Sequence, residues 1–154
     1  MTIALNSPVP AFRAEATGGL TITEQTLRDH YTVLYFYPKD STPGCTTESQ
    51  DFTAHFAAFE AANCQIFGVS RDSLKSHESF KAAQQMPFEL ISDPDETLCS
   101  LFDVMQLKNM YGKQVRGVER STFLIDPNGV VVEIWRKVKV PGHVENVLAA
   151  VTGR

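Results

Sequence analysis

Three cysteines occur in the 154 residues, Cys45, Cys64 and Cys99, and only one has surroundings suited to chemistry. Cys45 follows the loop Lys39–Gly44 (KDSTPG), which follows an apolar run, Thr32–Tyr37 (TVLYFY), ended by Pro38. Helical periodicity opens directly after it. The spacing therefore sets Cys45 at the first turn of a helix. The first N–H groups of a helix have no intrahelical acceptors, and the helix dipole adds partial positive charge there. Both favour a thiolate, the nucleophilic form of cysteine. Pro43 and Gly44 fix the entry to the helix, and glycine lets the backbone come close.

Cleaving an O–O bond asks for more than a thiolate. Sulfur attacks one oxygen in line, the other leaves with developing negative charge, and donors must face both. Thr42, three residues before Cys45, brings a hydroxyl that donates and accepts. The Cys45 backbone N–H is a second donor. A guanidinium suits the third role, because it stays charged and does not compete for the proton. Arg120 is the candidate, since the strand it precedes (STFLID) can return to the same edge of a sheet. Each residue also has a plainer reading. Cys45 could be an inert packed thiol, Thr42 a turn-forming hydroxyl, and Arg120 a surface partner of Glu119 or another acid. A sulfur sealed from solvent would exclude the chemistry.

Other chemistries lack their residues. An odd cysteine count cannot form a fully paired framework, which agrees with a reducing compartment. There is no C-x-x-C, against a thioredoxin-like dithiol and a zinc knuckle. His30, His55, His77 and His143 are far apart, and H-E-x-x-H fails after His77. Neither G-x-G-x-x-G nor G-x-x-x-x-G-K is present, so no metal and no cofactor is expected.

The elements that must position Cys45 can be read along the chain. Phe12–Ala16 and Leu20–Ile22 flank Gly18-Gly19 as a hairpin, and Thr23 caps a short helix to about Asp29. Thr32–Tyr37 reads as a central strand buried on both faces. One long helix is expected from Cys45 to Ala62, with Phe52, Phe56 and Phe59 on its apolar stripe. Cys64–Ser70 is a second strand. Asp72 or Ser73 caps a helix to about Gln85, which Pro87 prevents from extending. Phe88–Ile91 is a third strand, and a helix carries Leu98, Leu101 and Phe102. Val104–Val118 is read as containing loop. Ser121–Asp126 and Val130–Trp135 flank Pro127-Asn128-Gly129 as a hairpin, and a last helix spans His143 to Val151. The order predicts one α/β domain over residues 1–154: a thioredoxin-like fold, with a central mixed sheet, helices on both faces and an N-terminal β-hairpin.

Composition sets outer bounds. Hydrophobic residues make up 43% and charged residues 21%, so the chain is globular. A net charge of −4 gives no bulk attraction for nucleic acid or anionic lipid. Met1–Asn6 lacks the basic start and apolar run of a leader, and no membrane-length run occurs. The expectation is a cytoplasmic protein without nucleic-acid or membrane partners.

Pro38-x-x-x-Thr42-x-x-Cys45 resembles the active-site signature of the peroxiredoxins. The fuller run YFYPKDSTPGCTTE is similar to the Q-type, or bacterioferritin-comigratory-protein, subfamily. FGVSRD at Phe67–Asp72, LISDPD at Leu90–Asp95 and ERSTFLIDPNG at Glu119–Gly129 extend the resemblance over about the whole chain. It implies an antioxidant thiol peroxidase acting on hydrogen peroxide and organic hydroperoxides. Cys45 would become a sulfenic acid, Thr42 would orient the peroxide, and Arg120 would stabilise thiolate and transition state. Pro38, with Pro43 and Gly44, would shape the pocket. Glu48 is either an ordering carboxylate or a simple first-turn cap.

One departure concerns resolution. Many members carry a second cysteine five residues after the first, where this chain has Gln50. In another subgroup it lies in the next helix, at about Lys81 here. Cys64 lies beyond a helix whose ends are about 25 Å apart, against the roughly 7 Å between Cα atoms that a disulfide allows. Cys99 sits beside an apolar stripe and is the only other substitute. The reading is a one-cysteine mechanism completed by thioredoxin, glutaredoxin or a low-molecular-weight thiol. The alternatives are a two-cysteine enzyme using Cys99 and a peroxide-sensing switch acting through a partner protein. A monomer is implied, with a dimer left open.

Overall fold

The computed structural model describes residues 3–154; Met1 and Thr2, the start of the stretch read for a leader, lie outside the described residues. A seven-stranded mixed sheet forms the centre, in the order β2-β1-β5-β4-β3-β8-β9. Its strands are β1 Arg13–Ala16, β2 Thr21–Thr23, β3 Tyr31–Phe36, β4 Cys64–Ser70, β5 Glu89–Ser92, β8 Ser121–Ile125 and β9 Val131–Trp135. β3, β4 and β5 run parallel; β1 and β8 join them antiparallel. The parallel members need helical crossovers, supplied by α1 Pro43–Ala54, α2 Phe56–Ala61 and α3 Leu74–Gln84. α4 Thr97–Leu101 and α5 His143–Thr152 complete the helices.

Alternation along β3 divides the core. Val33, Tyr35 and Tyr37 face a cluster built with Phe52, Phe59, Phe80, Val144 and Val147. Leu34 and Phe36 face the other way, onto Leu98, Cys99, Phe102 and the N-terminal arm. A strand buried on both faces has no polar side, as its composition foretold. The first cluster is tight around Tyr35, whose ring stacks on Phe52 at 4.5 Å. A Cβ at Gly68 would lie 2.7 Å from the Tyr35 ring, so β4 carries no side chain there.

Two elements differ from the sequence reading. The long helix begins earlier, at Pro43, and breaks at His55 into α1 and α2. Proline suits the first helical position, where its missing N–H is not needed. At the break, His55 Nδ1 lies 2.9 Å from the Asp51 carbonyl oxygen, and Thr53 donates its hydroxyl to the Ser49 carbonyl oxygen. Such back-bonding competes with the helical ladder and bends it. Phe52 and Phe59 are still buried on the stripe, with Phe56 partly so. The second difference is Val104–Val118, read as containing loop. It forms a hairpin of its own, β6 Met105–Met110 and β7 Lys113–Val118, paired over its full length outside the central sheet. Among the described residues, no helix is long and apolar enough to cross a membrane.

Candidate active site

Cys45 occupies the third position of α1, after Thr42 as N-cap and Pro43-Gly44. Its N–H therefore belongs to the first turn and has no acceptor within the helix. The Thr42 side chain does not cap the helix. It donates to the Lys39 carbonyl oxygen at 2.8 Å, so its lone pairs remain to accept a proton from outside.

The sheet brings Arg120 to this turn. β8 pairs with β3 so that Phe36 faces Ser121, and the residue before Ser121 emerges where the chain leaves β3 for the loop. Arg120 Nη2 lies 3.3 Å from Cys45 Sγ, and Nη1 lies 2.6 Å from Glu48 Oε1. The acid it binds is the buried Glu48, not a surface carboxylate such as Glu119. Gly44 makes room: a Cβ there would sit 3.2 Å from Nη2. A guanidinium this close stabilises a thiolate by charge and hydrogen bond together.

Glu48 lies one turn beyond Cys45 and is fully buried. It holds the fork of Arg120, the more demanding of the two roles considered for it. Burial pushes its carboxyl up to about 7, with Arg120 pulling the other way. Its Oε2 has no hydrogen-bond partner among the described residues. Arg120 is shifted upward by the charges of Glu48 and Cys45 against the cost of its own burial.

Cys45 is more enclosed than the sequence reading allowed, at 1% exposure. The cover is thin. Pro43 and Gly44 are exposed, Pro38 and Thr42 are partly exposed, and the Arg120 side chain is 16% exposed. A shallow groove of about 480 Å³ between Pro43, Gly44, Thr47 and Val140-Pro141 runs beside the same turn. The sulfur thus lies beneath residues that are themselves exposed or partly exposed.

Two groups near Arg120 were missed. Lys108 of the β6–β7 hairpin donates to the Val118 carbonyl oxygen, and burial with the charge of Arg120 pushes its ammonium down. His143 at the start of α5 contacts the Thr122 hydroxyl at 2.8 Å; burial, then Arg120, pushes it down to about 4. No spacing in the sequence signals either contact, because both depend on which strands pair.

The remaining cysteines sit where a thiolate is disfavoured. Cys99 lies in the cluster on the opposite face of the sheet from Cys45. Burial and the neighbouring Asp93 carboxylate push its thiol far up. Cys64, at the start of β4, is pushed up to about 12 by burial. Gln50 donates to Gln84 at 2.8 Å, and Lys81 pairs with Glu89 at 2.5 Å. The two positions that the resemblance marks for a second cysteine are thus occupied by polar links from α1 to α3 and from α3 to β5.

Residues 5–134 match the AhpC/TSA family. A Peroxiredoxin Bcp of Xanthomonas campestris is 59% identical over 87% of this chain and 84% of its own length. Peroxiredoxin Bcp of Bacillus subtilis is 44% identical over 96% and 94%. Among solved structures, a cysteine-to-serine variant of Xylella fastidiosa PrxQ superposes with a TM-score of 0.93, at 43% identity and 99% and 98% coverage. The Xanthomonas campestris bacterioferritin comigratory protein, described for its alkyl peroxide reduction activity, gives 0.88 at 55% identity, covering 92% and 90%.

Proposed function

The chain belongs to the AhpC/TSA family and, within it, to the Q-type peroxiredoxins, which are thiol peroxidases; on that premise we propose that Cys45 carries the reaction by a one-cysteine route. The observation that carries this reading is the Arg120 guanidinium 3.3 Å from the Cys45 sulfur. The thiolate attacks the terminal oxygen of a hydroperoxide. An S–O bond forms as the O–O bond breaks, leaving a sulfenic acid and an alkoxide or hydroxide that takes up a proton. Arg120 and the Cys45 N–H offset the charge that develops on the oxygens. The free lone pairs of Thr42 accept the peroxide O–H. Pro38, Pro43 and Gly44 line the approach.

An external thiol then attacks the sulfenic sulfur, water leaves, and a mixed disulfide forms; a second thiol exchanges with it and frees Cys45. Gln50 and Lys81 at the usual second-cysteine positions support this route, as does the opposite-face location of Cys99. The reductant is thioredoxin, glutaredoxin or a small thiol, and the setting is a monomer of one domain in the cytoplasm. Intact mass spectrometry after one equivalent of peroxide tests the route. A gain of one oxygen on Cys45 is expected. A loss of two hydrogens would mean an internal disulfide and overturn it. Stoichiometric oxidation with no turnover on added thiol would favour the sensing switch.

A further inference from the structure

The loop between β3 and α1 carries Thr42 to the N-cap of α1, three residues before Cys45, yet little of its backbone is fixed by regular structure. Ser41 within it adopts φ 63°, a left-handed conformation that costs energy outside glycine. Between Pro38 and Thr42, one residue is buried: Asp40, at 5% exposure. Its backbone N–H donates to Asp72 Oδ2 at 2.9 Å. Its carboxylate receives the Tyr37 hydroxyl at 2.6 Å and the Ser76 hydroxyl at 2.9 Å. His77 Nδ1 stands 2.7 Å from the same carboxylate, and His77 Nε2 stands 2.9 Å from the Ile91 carbonyl oxygen.

Both ring nitrogens of His77 thus face acceptors. The arrangement is fully bonded when each carries hydrogen, the ring then tying β5 to the loop through α3. Asp40, Asp72 and His77 are also close enough to suit a cation, but the atoms named above already have protein partners. A buried network satisfied at every named contact rigidifies what it touches. None of these groups is bonded to Cys45, Thr42 or Arg120.

We propose that Asp40 and His77 are positioning residues for peroxide reduction, clamping the Pro38–Thr42 loop so that the Thr42 hydroxyl stays aimed at the substrate. The inference rests on the Cys45 reading above. It separates two reactions of the same sulfur. Alkylation by iodoacetamide needs a thiolate and access only. Oxidation by peroxide also needs the oriented hydroxyl, so misplacement of the loop slows it selectively.

The test compares the two rates in single-turnover experiments on the full chain, with oxidation followed by Trp135 fluorescence. His77→Ala and Asp40→Ala are expected to slow oxidation by hydrogen peroxide by about 10- to 100-fold and to change alkylation by less than about 3-fold. Asp40→Asn can keep the contacts, its amide donating to a neutral His77 ring, and is expected to restore most of the rate lost in Asp40→Ala. Ser76→Ala removes a single donor from a half-buried position. It is expected to slow oxidation by about 3-fold and serves if the alanine variants at 40 and 77 do not fold. Undiminished oxidation in His77→Ala, or in Ser76→Ala where His77→Ala does not fold, would overturn the proposal, whatever the melting temperature does. So would equal slowing of both reactions, which would assign the effect to the thiolate. Failure of the wild type to oxidise with any peroxide would instead remove the Cys45 reading itself.

Discussion

Cys45 and Cys99 are buried to almost the same degree, at 1% and 0% exposure, and belong to clusters on opposite faces of one sheet. Exposure does not tell them apart; their neighbours do. Cys45 has a guanidinium on its sulfur and the open N–H groups of a helix start around it. Cys99 has a carboxylate, Asp93, whose oxygens accept the N–H groups of Leu98 and Cys99 at the start of α4. The same helix-end feature that favours a thiolate at α1 is thus taken up at α4 by an acidic side chain. At Cys99 burial and the Asp93 carboxylate outweigh the opposing charge of Arg71, and at Cys64 burial raises the thiol. Burial disfavours a thiolate unless positive charge is buried with it.

Substitution at the sulfurs gives the largest contrast. Cys45→Ser is expected to abolish thiol-dependent peroxide consumption, with Cys64→Ser and Cys99→Ser staying within about 2-fold of wild type. A coupled assay checks this, and loss of turnover in Cys99→Ser would return that thiol to the mechanism. Next comes the charge. Arg120→Met is expected to slow Cys45 oxidation by about 100- to 1,000-fold. Arg120→Lys should recover part of that, since an ammonium cannot reproduce a fork bonded to Glu48 and sulfur at once. Rapid-mixing fluorescence measures both, and a fast Arg120→Met enzyme would reduce the guanidinium to a structural partner of Glu48.

A third effect concerns access. Thr42→Val is expected to slow oxidation about 10-fold, whereas a bulky aromatic disulfide reagent should label no cysteine of the native chain quickly. Rapid labelling of Cys64 or Cys99 before unfolding would contradict the closed core.

The smallest expected effect is on stability against pH, and here two groups beside Arg120 oppose one another. Glu48 titrates higher folded than unfolded, so the folded state holds the extra proton between its ordinary value and about 7, and stability falls as pH rises through that window. His143 titrates lower folded, near 4, so the unfolded state holds the extra proton below its ordinary value, and stability falls as pH drops towards 4. Each contributes up to about 3 kcal/mol. In urea unfolding across this range, Glu48→Gln should remove the first slope and His143→Asn the second. Unchanged slopes would mean that neither group titrates as its burial requires.

The loop-to-helix position of Cys45 was legible because it depends on neighbours in the chain: an apolar strand, a proline stop, a turn sequence and a helical stripe. The hairpin Met105–Val118 was not legible, since its strands face solvent along much of their length and lack the apolar alternation that marks a half-buried strand. The break at His55 was hidden for a related reason: side-chain back-bonding leaves the apolar spacing intact.

By itself, the order of residues singled out Cys45 as the candidate nucleophile and set it at a helix start, because both are fixed within a few residues of backbone. Only the tertiary structure decided that Arg120, 75 residues further on, reaches the sulfur, that Glu48 holds its fork, and that Cys99 lies across the sheet. Strand pairing fixes those contacts: the register of β8 on β3 carries Arg120 to the active-site edge, and pairing between distant segments leaves no mark in local spacing.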